Sequence, residues 1–209
     1  DEPVRWTYHN DNLEETAVRG LISPPEGAPL LSVMGDLCGF RHDSLTESPK
    51  NGKFANPMCT SGDAIDFAGK KPSVMARVGT FPWDDSKGPR GALSNDGGTS
   101  WTQFGSEPPG SAGSGSVAVA ADGATILWAP KAGNVGYSTD GGASWKVADG
   151  LPAAAKLPDW APSNLRVAAD RVNPQKLYAF DALTGTAYVS KDSGAHFEVG
   201  SRELPSLPD

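Results

Sequence analysis

One short run of the chain, Gly35-Asp36-Leu37-Cys38-Gly39-Phe40-Arg41-His42-Asp43, brings a carboxylate, a thiol and an imidazole close together. Asp36 can move a proton as a general acid if its surroundings raise its pKa through partial burial or a neighbouring negative charge. A carboxylate flanked by glycines also serves simply to accept backbone bonds in a tight turn. His42 and Asp43 can tune such an acid or contact a ligand, whereas an adjacent His and Asp on a surface are ordinarily a solvated pair. Cys38 and Cys59 are the only cysteines. Without histidines in ligand spacing they do not make a metal site, which leaves a disulfide or two buried thiols. A bridge would point to an oxidising compartment.

The elements that position these residues are read from a repeat. Ser94-Asn-Asp96-Gly-Gly98-Thr-Ser-Trp101, Ser138-Thr-Asp140-Gly-Gly142-Ala-Ser-Trp145 and Ser190-Lys-Asp192-Ser-Gly194-Ala-His-Phe197 are three copies of one motif, starting 44 and 52 residues apart. That period suits the ~40 to 50 residues of a four-stranded propeller blade. Within each copy glycine permits positive φ, and aspartate bonds the backbone of its own turn. The terminal aromatic anchors the outgoing strand, so Trp101 and Trp145 are expected in the core. Such turns are Asp boxes, and they report scaffold rather than catalysis.

Short strand-like runs recur between glycine and proline punctuation: 30–33, 64–67, 74–78, 117–120, 124–128, 165–168, 177–180 and 187–189. They are rich in β-branched and aromatic residues, and helix signals are almost absent. The fold class is therefore all-β, a β-propeller with residues 1–209 forming part of one domain. At about 45 residues per blade the chain holds four to five blades, and rings of four are rare beside those of six to eight. The ring is thus expected to be incomplete, with open strand edges that other blades must cover. Segment 105–115 reads as a flexible surface connection, and 81–91 as an insertion in which Trp83 lines a groove or covers a blade edge.

Composition excludes some partners. A net charge of −7 and dispersed lysines and arginines argue against nucleic acid, and no apolar run is long enough to span a membrane. A neutral polymer such as a polysaccharide fits better. The amino terminus lacks the basic and apolar regions of a signal peptide.

The segments ETAVRGLISPPEGAPLLSVMGDLCGFRHDSL, NPMCTSGDAIDFAG, VMARVG, TILWAP and VAADRVNP, together with the Asp boxes, resemble the carboxy-terminal propeller of glycoside hydrolase family 74. The resemblance runs from about Trp6 to Phe197, and the first segment is its most specific part. It implies a secreted, extracellular xyloglucan-hydrolysing β-1,4-glucanase in which two seven-bladed propellers face each other across a cleft. Each propeller gives one aspartate to an inverting hydrolysis, and the one in the Gly-Asp-x-x-Gly-Phe segment maps onto Asp36, as the general acid. The resemblance also implies no cofactor, and as partners xyloglucan or a related β-1,4-glucan, the remaining blades and an amino-terminal propeller, in the same parent chain or a separate one. Trp128, Phe40 and His42 are the implied substrate-binding residues, the Trp128 indole either stacking on a glucosyl ring or lying buried in the core. Cys38 departs from the glycine or small residue of many relatives, and a bridge to Cys59 would fix the shape of the turn. The alternative is a non-catalytic propeller module that binds glycan or protein, because fold alone does not fix function.

Overall fold

The computed structural model describes residues 3–5, 7, 16–80, 88–158 and 163–201. Among them there are strands, turns and no helix, arranged as four antiparallel sheets. The first sheet holds β1 (Val18–Ile22), β2 (Leu30–Met34) and β3 (Cys38–His42). The second holds β4 (Ser61–Ala68), β5 (Lys71–Thr80), β6 (Gly91–Ser94) and β7 (Thr102–Gln103). β8 (Ser116–Val119), β9 (Ile126–Ala129), β10 (Gly136–Ser138) and β11 (Lys146–Val147) form the third. The fourth consists of β12 (Leu165–Ala169), β13 (Leu177–Asp181), β14 (Thr186–Ser190) and β15 (Glu198–Ser201).

Each sheet is a meander, and the first strands β1, β4, β8 and β12 contact one another in that order. This is the geometry of propeller blades whose first strands line a common axis. Among the described residues there are four blades, at the lower bound of the sequence expectation, and they do not close into a ring. In the first blade a backbone bridge between Phe40 and Lys53 stands in for the outermost strand.

Three apolar clusters fill the three gaps between blades. Leu31, Val33, Phe54, Met75 and Trp101 lie between the first and second blades. Val74, Val78, Phe104, Val119 and Trp128 lie between the second and third, and Leu127, Val135, Leu165, Leu177 and Phe197 between the third and fourth. A blade with neighbours on both sides must bury both faces of its strands. Hence all of Ser116–Val119 and Ile126–Ala129 are buried, whereas β12 and β13, in a blade with one neighbour, alternate. Their sequences, SVAV and ILWA against LRVAA and LYAFD, carry the same distinction.

The three repeated turns join the third and fourth strands of the last three blades. Asp96 Oδ1 accepts the Ser94 hydroxyl at 2.8 Å and the Ser100 N–H at 2.9 Å. Asp140 repeats this with Ser138 at 2.7 Å and Ser144 at 3.0 Å, and Asp192 with Ser190 at 2.8 Å and His196 at 3.0 Å. Each turn also seats on the preceding blade. Arg41 donates to the Gly97 carbonyl, the Gly105 N–H to Gly142, and the Asp149 N–H to Ala195. The repeats therefore staple blade to blade as well as strand to strand.

Candidate functional site

Asp36 lies in the β2–β3 turn, at the end of the blades opposite the three repeated turns. Two consecutive three-residue turns build it. The Leu37 N–H donates to Gly35 at 2.7 Å, the Gly39 N–H donates to Leu37 at 2.8 Å, and the central residues Asp36 and Cys38 have φ of 61° and 66°. Left-handed backbone at two non-glycine residues costs on the order of 1–3 kcal/mol each, and such outliers cluster at functional sites.

The segments leading into β1 and β4 hold the turn in this shape. Thr16 donates its hydroxyl to the Gly35 carbonyl, the Gly35 N–H donates to Ala17, and the Cys38 N–H reaches Thr60 at 3.2 Å. The Asp36 N–H points to Ser61 Oγ at 3.4 Å. By contrast, the Asp36 carboxylate is exposed and makes no hydrogen bond or ion pair among the described residues. It does not staple its own turn, and this chain does not supply the partial burial expected of an acid.

Cys38 and Cys59 form a disulfide with Cα atoms 5.1 Å apart. Beneath the bridge lies Arg77 of β5, 4% exposed. Its Nη1 donates to Cys38 Sγ at 3.0 Å and Cys59 Sγ at 3.4 Å, and its Nη2 to the Pro57 carbonyl at 2.5 Å. The guanidinium stands 5.1 Å from the Phe54 ring centre and 5.0 Å from that of Trp101. Burial pushes Arg77 down to about 10. Sequence reasoning missed this residue, because an arginine inside the run VMARVG carries no signal that its head is buried.

The other expected site residues are placed differently. Trp128 is fully buried, packed against Phe104 and Trp145 with ring centres 5.9 and 5.6 Å away, and its indole N–H donates to Ser114 at 2.7 Å. The expectation that it stacks on sugar is corrected, since it presents no face to a ligand. Trp145, expected in the core, packs against the edge of the core between the second and third blades and is half-buried, its N–H donating to the Ser106 carbonyl. His42 sits at the far end of β3, on the order of 13 Å along the strand from Cys38, and bonds Ser32 Oγ at 3.0 Å. Asp43 pairs with Arg41 rather than with His42. Phe40 shares a strand face with His42 and is half-buried, their ring centres 6.1 Å apart. Trp83 lies outside the described residues.

Segment 105–115 also differs from expectation. Glu107 takes three N–H bonds from Arg90, at 2.6, 2.8 and 2.7 Å, and Pro108 is fully buried. Burial pushes the Glu107 carboxyl up, but the bonds from Arg90 and Ser111 outweigh it and hold the group low. The segment is pinned because a buried carboxylate requires its partner.

An open groove of about 880 Å³ runs along the first strands. In its wall Asp66 pairs with Arg171 at 2.6 Å and accepts the Val119 N–H at 2.8 Å, tying three blades together. Burial pushes the Asp66 carboxyl up against the pull of Arg171. Asp63 pairs with Arg19, whose side chain passes near Gly35. Among the described residues no cluster of histidine, cysteine, aspartate and glutamate could hold a metal ion.

No protein-family model matches the sequence. A xyloglucanase of a Paenibacillus species is 43% identical over 207 residues, covering 98% of this chain and 19% of that protein. An oligoxyloglucan-reducing end-specific xyloglucanase of Emericella nidulans is 30% identical over 225 residues, covering 97% of this chain and 26% of that protein. The crystal structure of the glycoside hydrolase family 74 xyloglucanase of Xanthomonas campestris matches with a TM-score of 0.83 at 39% identity, over 94% of this chain and 26% of that one. That of a family 74 enzyme of Niastella koreensis matches with a TM-score of 0.72 at 30% identity, over 94% and 27%. The chain thus spans about a fifth to a quarter of the length of these relatives.

Proposed function

We propose that this chain, which belongs to glycoside hydrolase family 74 as a segment homologous to part of its xyloglucanases, forms one wall of a cleft that hydrolyses xyloglucan or a related β-1,4-glucan. The observation that carries the reading is the contrast among aspartates. Asp96, Asp140 and Asp192 spend their carboxylates on their own turns, whereas Asp36 has a strained backbone and an unengaged carboxylate.

An inverting glycosidase needs two carboxyl groups about 6.5–9.5 Å apart, with a water between one of them and the sugar. Asp36, as general acid, gives its proton to the departing glycosidic oxygen. The second carboxylate takes a proton from the water that attacks the anomeric carbon, so one proton enters and one leaves per bond cleaved. Asp36 is one of the pair, and we assign the second to an amino-terminal propeller across the cleft. That propeller and the bound glycan supply the shielding that the exposed Asp36 lacks here. The four blades then form part of a seven-bladed ring whose other blades cover the open edges. The Cys38–Cys59 bridge supports an extracellular location.

The test is Asp36→Asn in the protein that carries this segment together with the second carboxylate. Turnover of xyloglucan is expected to fall about 10²- to 10⁴-fold, with the protein still folded and the first-formed product of the unmodified protein inverted by NMR. The 209-residue chain alone is expected to show no hydrolysis. Unchanged turnover in the variant would point instead to a non-catalytic binding module, and hydrolysis by the isolated chain would overturn the division of carboxylates between two propellers.

A further inference from the structure

Arg77 poses a problem that the proposed chemistry leaves unsolved. A buried guanidinium is ordinarily matched by a carboxylate, because desolvating a charge without a partner is costly. Here no carboxylate among the described residues pairs with it. Its partners are two sulfurs, one backbone carbonyl and two aromatic faces. A cation kept at this cost should do something that an apolar side chain cannot, and its fork geometry indicates what. One nitrogen engages both ends of the Cys38–Cys59 bridge and the other engages Pro57. A lysine has no rigid fork with which to hold both sets of acceptors.

The consequence lies two residues away. Cys38 is the centre of the second left-handed turn, and Asp36 is the centre of the first. Strained backbone persists only where its surroundings over-determine it. The surroundings here are the segment from Pro57 to Ser61, which receives the Cys38 N–H at Thr60, the Asp36 N–H at Ser61 and the bridge at Cys59. We propose that Arg77 is a positioning residue for Asp36, its buried fork clamping the Cys38–Cys59 bridge to the Pro57–Ser61 segment and so fixing the left-handed Asp36–Cys38 turn. The proposal deepens the reading of Asp36 as the acid and rests on it.

The test compares unmodified protein with Arg77→Gln, Arg77→Lys and Asp36→Asn in the xyloglucan-hydrolysing protein that carries this segment, and follows amide exchange of the same variants in the 209-residue chain. Arg77→Gln is expected to lower kcat about 10- to 100-fold, as misplacement of a reacting group does, with KM within about twofold. Leu37 and Gly39, donors of the two tight turns, should lose about tenfold or more in amide protection. Gly98 and Gly142, in the repeated turns, should keep theirs, which a merely global loss of stability would not allow. Arg77→Lys keeps the charge without the fork, and should fail to restore kcat.

If Arg77→Gln does not fold, the bridge is opened instead in the unmodified protein. A dithiol closes its own disulfide and passes two electrons and two protons to Cys38 and Cys59, and alkylation confirms the two thiols by mass. The same fall in kcat is expected, reversed on reoxidation. Should Asp36→Asn leave kcat unchanged, the reading of Asp36 falls and this proposal with it. Should Asp36→Asn abolish turnover while Arg77→Gln, or bridge opening, leaves kcat and the Leu37 and Gly39 amides unchanged, only the role of Arg77 is overturned.

Discussion

The two ends of the blades are built on opposite rules. At one end the three Ser-x-Asp turns repeat almost atom for atom, with the hydroxyl-to-carboxylate bond at 2.8, 2.7 and 2.8 Å. At the other end the described connections differ: a strained pair of three-residue turns at Asp36, a bridge over a buried arginine, and a loop pinned by Arg90 and Glu107. The repeated turns share one task, which is to lock each blade on the one before it. Variation at the other end is tolerated because the cores between the blades already hold the strands, which leaves the loops open to acquire chemistry.

Trp128 tests this division most severely, because it belongs to a core and yet touches the irregular end through Ser114. Trp128→Ala is expected to cost about 3–5 kcal/mol in urea unfolding, the usual loss for a large buried aromatic. Trp128→Phe retains most of the volume and gives up the bond to Ser114, so it should cost only about 1–2 kcal/mol. A loss of glycan binding without a loss of stability in either variant would break the comparison, for it would make this core residue part of the cleft.

Legibility in the sequence followed the same division. The repeated turns, the all-β class and the unclosed set of blades were all readable, because a spacing that recurs three times needs no knowledge of partners. Strands buried on both faces, such as β5, β8 and β9, announced themselves as apolar runs. Two strands of the blade that carries the Asp36 turn were not foreseen. β1, VRGLI, is largely exposed, and β3, CGFRH, mixes glycine with charge, so neither shows the alternation that marks a strand. At the candidate site, Asp36 was identifiable only through a motif resemblance, and Arg77 was not identifiable at all. Trp128 stood open between two readings because an indole at a strand end reads alike whether it faces a sugar or a neighbouring blade. Both cases concern the direction of a side chain relative to elements distant in sequence, which local pattern does not encode.

A middling effect is expected inside the regular end itself. Gly142 has φ +87°, and a Cβ there would stand 2.2 Å from Phe104 of the preceding blade, whereas Gly97 has φ +70° and nothing within 4 Å. Ser193 already occupies the position equivalent to Gly97 and Gly141 with φ 63°. Gly142→Ala should therefore cost about 2–3 kcal/mol, combining overpacking with backbone strain, and Gly97→Ala about 1 kcal/mol from strain alone. Equal costs at the two positions in chemical denaturation would mean that the turns do not seat on their neighbours as the hydrogen bonds indicate.

The smallest effect concerns charge. Bonds from the Ser144 hydroxyl and N–H and from Ser138 hold the Asp140 carboxyl down to about 2. A backbone bond from His196 lowers Asp192, and at Asp96 bonds from Ser100 and Ser94 overcome an upward push from burial. A carboxyl whose folded value lies below its unfolded one releases its proton more readily in the fold. Its contribution to stability is therefore complete above the unfolded value near 3.8 and is lost as pH falls toward about 2. Asp140→Asn keeps an acceptor for the Ser144 N–H but cannot titrate. Because Asp140 is exposed and screened, the loss at neutral pH should be at most about 1 kcal/mol. The pH dependence of stability between about 4 and 2 should be shallower in the variant. Unfolding curves measured at stepped pH decide the point: an unchanged slope would show that these aspartates act through geometry alone, as an asparagine would, and the regular end would then owe its strength to packing rather than to charge.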